Sequence, residues 1–136
     1  MHKITVGRRP DQPVLAFFVR ERLNTSWARL SYKLGHRMPL DDAKPELGEP
    51  EYGPIATVLA ERVSGIDGVG LLHVDGYELV VLYAPSYTTG EIMRNVAAVI
   101  GEVLEYDSYD LVNVRDGQKI ELAQTPEDDD TSGGYV

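Results

Sequence analysis

The chain has 136 residues, no cysteine and a formal net charge of −9. That length suits one domain with a core of its own, and the lack of thiols excludes disulfides, thiolate metal sites, cysteine nucleophiles and clusters held by the chain's own sulfurs. The charge is uneven: residues 1–37 carry Lys3, Arg8, Arg9, Arg20, Arg22, Arg29, Lys33 and Arg37 against Asp11 and Glu21, whereas the remainder is acidic down to "PEDDDTSGGYV".

Met1-His2-Lys3 leads straight into Ile4-Thr5-Val6-Gly7 without the apolar stretch of a signal peptide, and no run approaches the ~18 apolar residues of a membrane span. A cytoplasmic protein with no membrane partner is expected. The first 35 residues read as three strands. "KITVG" points Ile4 and Val6 inward, and the prolines of "RRPDQP" then turn the chain. "VLAFFVRERL" sets Leu15, Phe17 and Val19 against Val14, Ala16, Phe18, Arg20 and Arg22. "WARLSYKLG" sets Ala28, Leu30, Tyr32 and Leu34 against Trp27, Arg29, Ser31 and Lys33. Period-two alternation in three successive segments predicts an antiparallel meander.

Residues 36–53 hold three prolines and no apolar period, and a connection of that length points to function or mobility. A helix follows, with Pro54 at its first position, Ile55, Val58, Leu59 and Val63 as its buried stripe, and Gly65 at its end. The next segment, "GIDGVGLLHVDGYELVVLYA", reads as a hairpin. Asp75-Gly76 would occupy a two-residue type I′ turn, pairing Val74 with Tyr77 and His73 with Glu78. Leu72, Val74, Tyr77, Leu79, Val81 and Tyr83 would share one face, and Leu71, His73, Glu78, Val80 and Leu82 the other.

Residues 84–105 predict a second helix. Thr88 and Glu91 form a capping box, and Ile92, Val96, Val99, Ile100 and Val103 an apolar stripe. A last hairpin about Asp116-Gly117 is expected, then a flexible acidic tail over 123–136. The sum is a single α+β domain over residues 1–122: an antiparallel sheet of about five strands (β-β-β-α-β-β-α) with two helices on one face and a C-terminal extension.

Over about residues 3–104 the chain resembles the N-terminal domain of NifU-like (Nfu-type) iron–sulfur scaffold proteins, which also occurs as a stand-alone protein. The resemblance rests on Arg9-Pro10-Asp11-Gln12-Pro13 in the first loop, "VLAFFV" in the next strand, and Gly53-Pro54-Ile55-Ala56 at the helix start. It continues through Val63, Ile66, Gly68, Val69 and Leu72, and through Gly76-Tyr77-Glu78-Leu79-Val80-Val81. The family's cluster-binding Cys-x-x-Cys belongs to a separate domain that this chain lacks. The resemblance therefore implies a fold and a protein-interaction role, with no cluster assembly.

No catalytic constellation stands out. His73 and Glu78 lack a third group, and no Gly-x-Ser-x-Gly, His-Glu-x-x-His, P-loop or Gly-x-Gly-x-x-Gly motif occurs. His2, His36 and His73 have no ligand spacing, and Asp128–Asp130 lack the turn and ligand count of a calcium loop, so neither metal nor cofactor is expected. Two helices cover one face of such a sheet, and strand parity places Phe18, Arg20, Arg22, Trp27, Arg29 and Lys33 on the open one. Arginine and aromatic side chains favour a protein partner or self-association, with Leu71, Val80 and Leu82 extending the face as an apolar patch. The alternative is a nucleic-acid-associated regulator using the same residues, against which the overall acidity weighs. An enzyme ranks third.

Overall fold

The computed structural model describes residues 2–9, 11–40 and 44–121. The 123–136 tail expected from composition lies outside the described residues. Strands β1 (His2–Arg8), β2 (Val14–Phe18), β3 (Leu30–Lys33) and β4 (His36–Arg37) precede helix α1 (Pro54–Ser64). Strands β5 (Val69–Val74) and β6 (Glu78–Tyr83), helix α2 (Thr89–Val103) and strand β7 (Tyr109–Asn113) complete the order. They build one seven-stranded sheet in the order β4-β3-β5-β6-β2-β1-β7. Every pair is antiparallel except β1–β7, which is parallel.

The antiparallel sheet of about five strands is thus corrected to a mixed sheet of seven. Two additions account for the difference. His36–Arg37, inside the expected loop, folds back on β3 through Lys33↔His36. Tyr109–Asn113, expected only as a hairpin arm, enters the sheet beside β1 through Ile4↔Leu111. The hairpin survives as a short return, with Lys119 bridging Val112 and the Ile120 amide donating to the Leu111 carbonyl. A helix between β6 and β7 supplies the long connection that parallel strands require.

The meander fails as well, because β3 pairs with β5 rather than β2. After Phe18 the chain leaves the sheet and wraps the tip of the β5–β6 hairpin. The Val19 amide donates to the Tyr77 carbonyl and the Leu23 amide to the Gly76 carbonyl. Asn24, 2% exposed, donates from Nδ2 to the carbonyls of Ala28 and Val74, each at 2.8 Å. Its Oδ1 accepts from the Ser26 amide. A polar side chain satisfied on three sides carries the backbone through the core without orphaned groups.

That wrap also resets the hairpin register. The Asp75 amide donates to the Glu78 carbonyl, so Gly76 and Tyr77 form the tip, and His73 pairs with Val80 rather than Glu78. Gly76 has no positive φ, so the type I′ turn is not formed. The slip is two residues, and because side chains alternate with period two, the faces are unchanged. Leu72, Val74, Leu79, Val81 and Tyr83 are buried together, whereas Tyr77 is exposed at the tip.

Both helices lie on this inner face. Their buried residues join Ile4, Val6, Leu15, Phe17, Leu30, Tyr32 and Leu111 in one core. In α1 the buried stripe is Ala56, Leu59, Ala60 and Val63, so Val58, expected inside, faces out. In α2 the Glu91 amide donates to Thr88 Oγ1, as a capping box requires, and Ile92, Val96 and Ile100 are buried.

Candidate interaction surface

The outer face of the sheet is built by the opposite parity of the same strands. Register places its residues in rows. Val14, Leu82, Leu71 and Lys33 form one row; Gly7, Ala16, Val80, His73 and Ser31 form the next. Val112, Thr5, Phe18 and Glu78 form a third. Their side chains are half-buried among themselves except exposed Lys33, and neither helix covers them. Gly7 permits a close approach here: a Cβ would stand 3.3 Å from Val114 Cγ1 and 3.6 Å from Phe18 Cε2.

The polar groups of this face are few. Ser31 Oγ and His73 Nδ1 share a hydrogen bond of 2.7 Å across β3–β5. Glu78 sits beside Phe18 of β2 and diagonal to His73. At the end of the face a groove of about 490 Å3 opens between Leu34, Leu71, Leu82 and Ala84, with Gly68 and Gly70 in its floor and Lys33 on its lip. Gly70 leaves bare backbone there, and the pairing of β5 with β6 shifts register between Val69 and Leu71. Leu34, expected to point inward, is 72% exposed and holds a φ of 50°, in the β3–β4 turn with Gly35 at 83°. Two positive φ values define a type I′ turn, where Asn, Asp or Gly is the usual choice and leucine is strained.

The six residues singled out by parity do not form one cluster. Phe18 and Lys33 face outward but stand three strand spacings (~14 Å) apart across the sheet and two rows apart along it, with β5 and β6 between them. Arg22 lies over the Tyr77 ring at 5.9 Å and Arg29 Nε bonds Asp75 Oδ1 at 3.0 Å, so both flank the β5–β6 tip. Arg20 is exposed on the wrapping segment, which obeys no strand parity. Trp27, 37% exposed, stands between two clefts of about 280 and 340 Å3 that it shares with Leu40 and Lys44. The six-residue set omits Val14 and Ala16, which share Phe18's parity, and the Leu34 groove. Val14 and Ala16 were legible in the alternation, whereas the groove lies where the register shifts.

A second polar group lies at the start of β1. His2 stacks on Tyr106 with ring centroids 3.9 Å apart, and the Tyr106 hydroxyl donates to Glu21 Oε1. Burial and the Glu21 carboxylate push that phenol far above its usual range, and burial also raises Tyr109. A phenol that holds its proton so firmly is a structural hydrogen-bond donor. His2, His36 and His73 lie on three different strands, and among the described residues no group of three or more His, Cys, Asp or Glu converges. No helix of the described residues is long and apolar enough to cross a membrane.

No protein-family model matches the chain, and no curated protein matches it. Among solved structures the chain is similar to the X-ray crystal structure of protein SAV1430 from Staphylococcus aureus. The identity is 14% and the TM-score 0.48, over 71% of this chain and 96% of that one.

Proposed function

We propose that this chain is a non-enzymatic protein-interaction domain of the cytoplasm that works through the outer face of its sheet. This is the role that its resemblance to the Nfu-type N-terminal domain implies. One observation carries the reading: Val14, Ala16, Phe18, Leu71, Val80 and Leu82 are contiguous across β2, β6 and β5 on the side away from both helices. Contiguous apolar surface with a polar rim is the mark of a protein contact. Of the residues singled out by parity, Phe18 and Lys33 belong to this face, Arg22 and Arg29 flank the β5–β6 tip, and Trp27 shares a cleft with Ser31.

A nucleic-acid role has less in its favour. Phe18 is the sole Phe, Tyr or Trp on the outward parity of the described strands, too few to stack successive bases. The test is capture from an extract of the organism that makes the protein, comparing the full chain with Val80→Asp and Leu82→Asp. Both positions face away from the core, so circular dichroism should be unchanged while captured proteins are lost. Capture that ignores both substitutions would refute the face, and single-stranded oligonucleotide binding clearly tighter than about micromolar at physiological salt would favour nucleic acid instead.

A further inference from the structure

The outer face carries Phe18 toward one end and a groove at the other, with Lys33 and Glu78 on opposite sides of its centre. Phe18 is the largest outward-facing apolar side chain of β2, and the groove between Leu34, Leu71 and Leu82 lies at the other end of the face. Lys33 and Glu78 stand at mirrored positions about His73. Lys33 is one strand over on β3 and two residues toward the groove; Glu78 is one strand over on β6 and two residues toward the tip. His73 is the midpoint of that pair.

We infer that the occupant of the outer face is a second copy of this chain, related by a two-fold axis through His73 in the plane between the sheets. This rests on the reading of the outer face as an interaction surface. The axis runs perpendicular to the line from Lys33 to Glu78. It lays each Lys33 against the partner's Glu78 and each Leu71 near the partner's Val80. Each Phe18 then meets the partner's groove beside Leu34. The strands of the two sheets cross at about 70°, nearer the orthogonal than the aligned class of sheet packing. A two-fold contact must be self-complementary, each residue meeting its counterpart twice, and the placement of Lys33 and Glu78 about His73 meets that condition. It also gives strained, exposed Leu34 an apolar environment. Without a partner, the turn would be better served by asparagine.

Charge exchange is the test, because the two single variants and the double variant must behave oppositely. Sedimentation equilibrium of the full chain should show a monomer–dimer equilibrium. Lys33→Glu alone and Glu78→Lys alone should each raise the dimer dissociation constant about tenfold or more, by setting like charges face to face. The double variant K33E/E78K rebuilds both pairs with reversed sign and should return to within about threefold of the parent. Leu34→Asn relieves the turn, so it should raise the melting temperature of the monomer while weakening the dimer. It cannot act by unfolding.

A chain that stays monomeric at about 100 µM, a weak affinity for any stable homodimer, would overturn the inference. So would a dimer indifferent to the single exchanges, or a double variant as weak as the singles. The proposed function is refuted by a different result, capture that ignores Val80→Asp and Leu82→Asp, so the two failures are distinguishable.

Discussion

Asn24 illustrates how one polar side chain holds a crossover that hydrophobic burial alone could not direct. Its amide bonds the carbonyls of Ala28 and Val74, and its Oδ1 receives the Ser26 amide, all at 2.8–2.9 Å. Removing the side chain takes that partner from the Val74 carbonyl and the Ser26 amide, and leaves the Ala28 carbonyl with Ser26 Oγ alone, at the point where the 19–28 segment meets β5. Each unsatisfied buried group costs ~1–3 kcal/mol, and neighbouring losses are partly shared. Asn24→Ala should therefore lower stability by about 2–4 kcal/mol in urea unfolding, with the denaturant slope unchanged. Asn24→Asp keeps the shape but sets a carboxylate against two carbonyls, and should be no better at neutral pH. A loss below about 1 kcal/mol for Asn24→Ala would mean that backbone pairing alone holds the crossover, since that is the ordinary net worth of a single hydrogen bond.

Elements were legible in the sequence where a local period governed them, and not where distant chain segments did. The faces of β1, β2, β5 and β6, the Pro54 start of α1 and the Thr88 cap of α2 each follow from spacing within a few residues. The hairpin tip does not, because the carbonyls of Gly76 and Tyr77 are taken by residues more than fifty positions earlier. The outer apolar face could be read in part from Leu71, Val80 and Leu82. The separation of Phe18 from Lys33 could not, since it depends on which strand lies beside which. Helix α2 and β7 show the same limit. Gly101 and Gly90 weaken a helix by propensity, yet both are buried, and a Cβ at Gly101 would stand 2.8 Å from Tyr109 Cε1. The glycine lets the β7 tyrosine lie against the helix. Gly101→Ala should thus destabilise by ~1–3 kcal/mol through overpacking, despite the ~1 kcal/mol that alanine gains in helix propensity. Pairing it with Tyr109→Leu should recover most of the loss. If Gly101→Ala stabilises the protein on its own, the ring shifts freely and the close approach has no structural role.

On the scale of the whole molecule, β7 closes a gap that the first six strands leave open. Without it, β1 would be an edge strand whose Ile4 and Val6 belong to the core but lack a neighbour on one side. An edge strand with unpaired amides and apolar side chains is a template for association with other chains. Parallel pairing of His2–Val6 with Tyr109–Asn113 removes that edge, and Leu111 adds a core side chain against the same cluster. The return through Lys119 and Ile120 then covers the outer edge of β7 itself. The opposite end of the sheet is treated differently: β4 has two residues, too short to recruit another strand. Residues 105–121 are therefore part of the fold rather than an appendage. A chain ending at Glu105 should lose the cooperative thermal transition of the full-length protein, or melt at a much lower temperature and aggregate through β1. Leu111→Asp in the full chain should reproduce that defect with β7 still present, because it sets a charge into the cluster around Ile4. A Glu105-terminated chain that melts cooperatively at the full-length temperature would show that six strands suffice, and that β7 only rests against a core already complete.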